Sequence, residues 1–320
     1  MSSFAGNNHT EGKTRSQLDR NLDKVFILLT RIFAFAIVGI LILISTQVFL
    51  QALPAIQKFG LGFLFSTDWN PVVDQYGVLP HIYGTIVSAL IGLLISVPIG
   101  VSTAVFLSED LLPKNIRTVL AFLVELLAAI PSVVYGIWGI FVLSPIIQAL
   151  GIPISNIFGF LPIFSAEGGI TGRGMLTAGI ILAIMTLPII TAISRDALVS
   201  LPPSLRQAAI GLGCTRGETI LRVLIPAAFS GIVGAVMLAL GRAMGETMAV
   251  TMLIGNANNI NLSLFRPGNT ISSLLASQFA ETSDLSLKRG ALMYAALVLF
   301  LLTLVVNVLA EIIVRRMKRI

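Results

Sequence analysis

Six long apolar runs govern what this 320-residue chain can become. They fall at about 26–53, 82–107, 118–145, 174–194, 226–255 and 290–314. Each supplies the roughly 20 residues needed to cross ~30 Å of hydrocarbon. In lipid an unpaired backbone N–H or C=O is too costly to keep, so the backbone inside each run must be helical. The reading is an all-α, polytopic membrane protein with six transmembrane helices. Composition supports it: the chain is 56% hydrophobic and 11% charged, too little polar surface to clothe a water-soluble globule. Pro98, Pro131 and Pro188 lie inside the second, third and fourth runs and predict kinks or local unwinding. With Gly136 and Pro145 close by, the third run reads as a broken helix or as a helix plus a re-entrant piece.

The net charge of +6 is distributed as membrane topology demands, in clusters beside the apolar runs. With the N-terminus inside, fifteen of the 21 basic residues fall in cytoplasmic segments, and Lys58, Arg173, Arg266, Lys288 and Arg289 fall outside. That bias predicts cytoplasmic N- and C-termini and a cytoplasmic loop at 195–225. The expected organisation is a cytoplasmic tail at 1–25, a first transmembrane helix with its external loop at 26–80, a core at 81–314, and a basic cytoplasmic C-terminus at 315–320. The run from Val25 to Leu53 is too long for a signal-peptide core and reads as a retained span. External segments near 54–81, 146–173 and 256–289 are long for mere connections. The second is too apolar between Phe158 and Ser165 to lie freely in water. In the third, Thr270 to Glu281 reads as a short amphipathic helix.

Catalytic signatures do not occur. The single cysteine, Cys214, excludes an intrachain disulfide, and His9 and His81 alone do not make a metal centre. No G-x-x-x-x-G-K-[ST] phosphate loop, G-x-S-x-G elbow or H-E-x-x-H pair is present. The expectation is a protein that is not itself an enzyme and has no cofactor.

Two constellations carry function. The first is Gln207-Ala208-Ala209-Ile210-Gly211-Leu212-Gly213, followed by Val223-Leu224-Ile225-Pro226. Pro202 and Pro203 stop the preceding helix, and Ser204 is placed to cap the next. Small side chains at 208 and 209 permit close approach by another protein, and Gly213 permits a turn at positive φ. The second is Leu240 to Ala249 in the fifth run. There Arg242 and Glu246, four residues apart, would share a helix face and could pair. Charges at membrane depth are costly and mark function by default. Gly241 and Gly245 form a GxxxG pair, and Ala235, Ala239 and Ala243 extend a small-residue stripe for another helix. Glu125 in the third run either pairs with Arg242 or lies solvated near an interface.

The first constellation resembles the EAA---G---------I-LP loop of ABC importer permeases, through which a membrane subunit grips its ATPase. Gln207 stands where that family usually has Glu, which keeps hydrogen-bonding capacity and loses the negative charge. Longer phrases, Glu125 to Gly139, Gly211 to Thr215 and Leu240 to Val250, resemble the PstC-type permeases of phosphate ABC importers. The similarity runs from the first span to the sixth. It implies the type I (MetI-like) permease fold, a heterodimer with a PstA-type permease, two PstB-type ATPases and an external phosphate-binding protein. It also implies that Arg242 and Glu246 belong to the substrate path, and that Gln207, Ala208, Ala209, Gly213 and Pro226 serve ATPase coupling; Glu125, as a third intramembrane charge, is assigned to the same path. A permease for another oxyanion or small solute would share the loop and differ in the path. An ATPase-independent channel or ion-coupled transporter would need no such loop.

The topology predicts that Cys214 is labelled by a thiol reagent admitted to the cytoplasm and protected once an ATPase is bound. Labelling by an impermeant reagent added only outside intact cells would contradict it.

Overall fold

The computed structural model describes residues 17–109, 113–166, 169–283 and 286–317. The expected tail up to residue 16, with His9, and the terminal Lys318 and Arg319 lie outside these described residues. Residues up to Leu50 form one compact unit and Gln51–Ile320 a second. The first unit is the greater part of one helix, α1 (Gln17–Phe59), whose apolar side chains from Leu22 to Leu50 are largely exposed.

The second unit begins with the remainder of α1. It continues through α2 (Gly62–Phe65), the hairpin of β1 (Trp69–Asn70) and β2 (Gln75–Tyr76), α3 (Leu79–Ser108), α4 (Lys114–Ala128), α5 (Ser132–Trp138) and α6 (Ser144–Phe158). It ends with α7 (Met175–Val199), α8 (Pro203–Gly211), α9 (Arg216–Thr219), α10 (Ile225–Gly245), α11 (Met248–Leu253), α12 (Ile271–Gln278) and α13 (Leu287–Met317). Two π-helical segments, Gly139–Leu143 and Ile220–Leu224, join α5 to α6 and α9 to α10. Among the described residues six helical stretches are long and apolar enough to cross a membrane: Asn21–Phe59, Leu79–Ser108, Ser132–Phe158, Met175–Val199, Arg216–Gly245 and Leu287–Ile312.

α3 and α7 form the centre of this unit, and glycine lets them approach closely. A Cβ on Gly92 would sit 3.0 Å from the Leu182 side chain, and one on Gly100 would sit 2.9 Å from Ile190. Such small residues bring backbones near enough for polar contacts across helices in an apolar medium. Thr186 donates to Ser96 Oγ at 3.0 Å, and Thr191 donates to the Gly100 carbonyl at 3.2 Å. Both helices run unbroken through Pro98 and Pro188. Ala239 and Ala243 of α10 pack into this centre beside Leu93, Ile190 and Met244.

Around the N-terminal end of α3 lies a cluster rich in aromatics. Phe63 stacks on Tyr294 with ring centroids 4.4 Å apart, and Trp69 meets Tyr76 edge-on at 5.0 Å. The hairpin register pairs Trp69 with Tyr76, and Trp69 Nε1 donates to Gln278 at 3.0 Å. Burial, with the Asp74 carboxylate beside it, pushes the Tyr76 hydroxyl up to about 12, so it stays protonated and donates to Asp74. The helix expected from Thr270 onward is present as α12, with the Thr270 hydroxyl accepting from the Ser273 N–H at 3.1 Å.

The third span departs from the expected 118–145. Residues 114–128 form a separate helix, α4, that packs on α7, and the membrane-length stretch is Ser132–Phe158. Pro131 is the reason, because it has no N–H to donate to the Leu127 carbonyl one turn earlier. The Tyr135 hydroxyl takes that place, donating to Leu127 O at 2.9 Å, while Ile130 N reaches it only at 3.4 Å. Much of the second external segment is therefore α6, and Pro162–Phe164 adds a 3-10 turn.

Tyr135→Phe keeps the ring and removes this bond. It should destabilise the purified protein by about 1 kcal/mol, read as a lower thermal midpoint in detergent. An unchanged midpoint would show that the Leu127 carbonyl finds another donor.

Candidate functional site

The loop between α7 and α10 is built by local rules. α8 starts at Pro203, with Pro202 as the flanking residue, so Ser204 lies inside the helix instead of capping it as expected. Proline is suited to a first helical position because its missing N–H is not needed there. At the other end Gly213 adopts φ +90°, its N–H donates to Ile210 O at 2.9 Å, and Cys214 N donates to Ala209 O at 3.1 Å. These paired bonds are the Schellman arrangement, which closes a helix through one left-handed residue. Thr215 and Glu218 then form a reciprocal capping box that starts α9.

The sequence-predicted residues fall into place along this loop. Gln207 and Ala208 are exposed, whereas Ala209 is buried and anchors α8. Ile210 and Leu212 project outward, Leu212 at 87% exposure, and a Cβ on Gly211 or Gly213 would meet nothing within 4 Å. Pro226 is the second residue of α10 and is exposed. A short, firmly capped helix thus presents a small apolar knob beside a polar Gln207. Such a surface suits docking into a partner's groove.

The intramembrane charges require a correction. The expected helix face shared by Arg242 and Glu246 does not form, because α10 ends at Gly245 and Glu246 is extended, with φ −66° and ψ 125°. Glu246 Oε1 instead accepts from Ala249 N at 3.4 Å, and its backbone carbonyl accepts from Ser272 at 3.0 Å. The fifth run is two helices, α10 and α11, hinged at Glu246-Thr247. No ion pair reaches Arg242 among the described residues. Its exposed guanidinium lies within electrostatic range of Tyr135. Glu125 does not pair with Arg242 either. It meets Arg195, N to O 3.4 Å, near the C-terminal end of α7, with its side chain 58% exposed. Its partner is thus an arginine of α7, which neither alternative had named.

The two small-residue stripes of α10 also divide their work. Ala235, Ala239 and Ala243 are buried within the chain. Gly234, Gly241 and Gly245 face open space, with no atom within 4 Å of an added Cβ, and Leu238 beside them is 58% exposed. Arg242 therefore sits on a face left free for another helix. Sequence reasoning missed the pairs Glu125–Arg195 and Arg206–Glu109, the latter at 2.6 Å. Their partners are too far apart along the chain for spacing to reveal them.

Residues 96–319 match the family described as binding-protein-dependent transport system inner membrane component. Among relatives, the phosphate transport system permease protein PstC of Mesorhizobium japonicum is 43% identical, covering 90% of this chain and 89% of its own. That of Pasteurella multocida is 39% identical over 97% of each chain. A probable phosphate transport system permease protein PstC from Methanocaldococcus jannaschii is 36% identical, over 92% of this chain and 93% of its own. In fold the chain is similar to a chain of the MetNI methionine ABC transporter in an inward-facing conformation. That match has a TM-score of 0.51, with 20% identity, over 75% of this chain and 94% of the other. With its six membrane-length helices, its capped loop between α7 and α10 and these relatives, the chain belongs to the binding-protein-dependent transport system inner membrane component family, the membrane-spanning permeases of ABC importers.

Proposed function

We propose that the chain is the PstC-type permease subunit of an ATP-driven importer of inorganic phosphate. The similarity along nearly the whole chain to permeases named for phosphate transport carries this reading. The assembly it implies is a heterodimer with a PstA-type permease, a pair of PstB-type ATPases, and a phosphate-binding protein on the outer side. The open glycine face of α10 supports a second permease, since bare glycines in lipid leave a groove that another helix can fill. The exposed Gln207, Ala208, Ile210 and Leu212 support an ATPase contact at α8. The bias of basic residues supports placing α8 and both termini on the cytoplasmic side.

Transport then follows from reorientation of the two permeases as the ATPases close and pull α8. Arg242, on the open face, is the electrostatic partner of phosphate in transit. Glu246, at the break between α10 and α11, is the second contact. Phosphate near neutral pH is still protonated, so it offers acceptor oxygens to Arg242 and an O–H donor to Glu246. Sulfate offers acceptors alone, and an ionised carboxylate cannot donate to them. A lost or repulsive contact in a dry path costs about 1–3 kcal/mol, enough to discriminate between the two oxyanions.

Two experiments test this reading. Gly213→Val places a β-branched residue at φ +90°, where L side chains are strained. It should insert normally and lose stimulation of the ATPase, and normal phosphate uptake at normal expression would remove the coupling assignment. Arg242→Lys keeps charge without the planar fork and should reduce phosphate flux. Glu246→Gln can donate as well as accept and should admit sulfate in proteoliposomes carrying a binding-protein-independent assembly. If both leave flux and discrimination unchanged, the two residues are structural.

A further inference from the structure

α12 belongs to the segment between α11 and α13, yet its first turn is lodged inside the chain. Thr270, Ile271, Ser272, Ser273 and Leu274 are all buried, whereas Ala276 and Ser277 further along are exposed. A polar turn so placed has to find partners. The Ile271 N–H donates to Thr85 Oγ1 of α3 at 3.1 Å. Ser273 Oγ donates to Asn256 Oδ1 at 2.8 Å, and Asn256 Nδ2 donates to the Thr251 carbonyl of α11 at 3.1 Å. Ser272 Oγ donates to the Glu246 carbonyl at 3.0 Å.

The bond from Ser272 reaches the break between α10 and α11. Two other bonds at the break are local: Thr247 Oγ1 donates to the Gly245 carbonyl at 3.1 Å, and Ala249 N donates to Glu246 Oε1 at 3.4 Å. Ser272 instead comes from 26 residues away. Glu246 is extended, so its carbonyl stands outside the ladder of α10. An unmet carbonyl in an apolar span is costly, and Ser272 removes that cost by fixing the Glu246 peptide in one orientation. The carboxylate is aimed by the same bond, because side chain and carbonyl hang from one Cα. The other end of α12 is tied as well. Gln278 Oε1 accepts from Trp69 Nε1 of the hairpin at 3.0 Å, and Leu274 packs in the cluster of Phe63 and Tyr294. One eight-residue helix thus joins the β1–β2 hairpin to Glu246.

We propose that Ser272 is a positioning residue that holds the Glu246 carboxylate at the break, and that α12 passes movement of the hairpin on to it. Rigid elements bonded at both ends can carry coupling between separate sites. For transport this role rests on the contact between Glu246 and phosphate proposed above; the tether itself does not. On the orientation proposed there, the hairpin lies on the outer side. Docking of the binding protein against it would then reset the carboxylate before phosphate enters the path.

The first arm of the test reads amide hydrogen exchange of the full chain in nanodiscs. Ser272→Ala should speed exchange of the 246–250 stretch about fivefold, as the loss of one hydrogen bond of ordinary strength does, because Ala249 N loses its fixed acceptor. Trp69→Phe keeps a ring without the donor and should speed the same stretch to a smaller extent. Ser277→Ala, at the exposed end of α12, should leave that stretch unchanged. No change at 246–250 in Ser272→Ala, or an equal change in Ser277→Ala, overturns the positioning role. No change in Trp69→Phe overturns the link to the hairpin. The second arm compares phosphate with sulfate uptake in proteoliposomes carrying a binding-protein-independent assembly. Ser272→Ala should lower discrimination about fivefold and add nothing to Glu246→Gln, since both act through one carboxylate. Additive losses show that Ser272 acts elsewhere and overturn the proposal. Faster exchange with discrimination unchanged keeps the tether and removes Glu246 from the substrate path instead.

Discussion

Every backbone N–H and C=O in an apolar span must find its partner inside the protein, and the rest of this structure is arranged around that requirement. Where helices are continuous the requirement meets itself, and glycines can then be spent on bringing α3 and α7 together. Where continuity fails, a side chain steps in. Tyr135 serves the Leu127 carbonyl beside Pro131, Ser272 serves the Glu246 carbonyl, and the Glu246 carboxylate serves the Ala249 N–H. Each break is thereby tied to an element distant in sequence or to the turn that follows it. Breaks so supported can hold a charged residue such as Glu246 at an otherwise apolar depth.

The two ends of the α3–α7 pair solve different problems. At the N-terminal end of α3, neutral groups interlock: His81 Nε2 and Asn269 Nδ2 both meet Asn258 Oδ1 at 3.1 Å, and Tyr83 donates to the Asn261 carbonyl at 3.0 Å. These bonds hold the 256–270 segment against the helix without any ion pair among the residues they join. At the other end, charge is the means, with Arg195 and Arg206 reaching carboxylates of neighbouring elements. Arg206 makes the α8 loop part of that charged layer, so a pull on α8 acts directly on the end of α3.

Much of this was legible in the residues. Hydropathy runs located the spans near 26–53, 82–107, 174–194 and 290–314, because length and apolarity alone decide a crossing helix. The loop from Gln207 to Pro226 was legible because proline and glycine act through their immediate neighbours, although the Thr215–Glu218 box that starts α9 emerged only from the structure. Two features were not. The third span shifted toward Phe158, since α4 is as apolar as a crossing helix on one side only and Pro131 cuts it off early. The fifth run broke at Glu246, a place where hydropathy shows no dip wide enough to register. A carboxylate followed by Thr247 could have signalled it, because the Glu246 side chain accepts from the Ala249 N–H at the start of α11 and the Thr247 hydroxyl donates to the Gly245 carbonyl at the end of α10. The pairing of Glu125 with Arg195 spans 70 residues and follows only from the packing of α4 on α7.

The π-helical segment Ile220–Leu224 has a consequence for how such a protein can change over generations. A π-turn holds one residue more than an α-turn, and each residue of an α-helix advances the face by about 100°. The orientation of all of α10 is therefore phased by that single surplus residue. Loss of one codon there would leave α8, its turn and its caps intact while swinging Gly234, Leu238, Gly241 and Arg242 a quarter-turn away from their open face. The stretch between α9 and α10 is thus a point where insertions and deletions are far more consequential than substitutions.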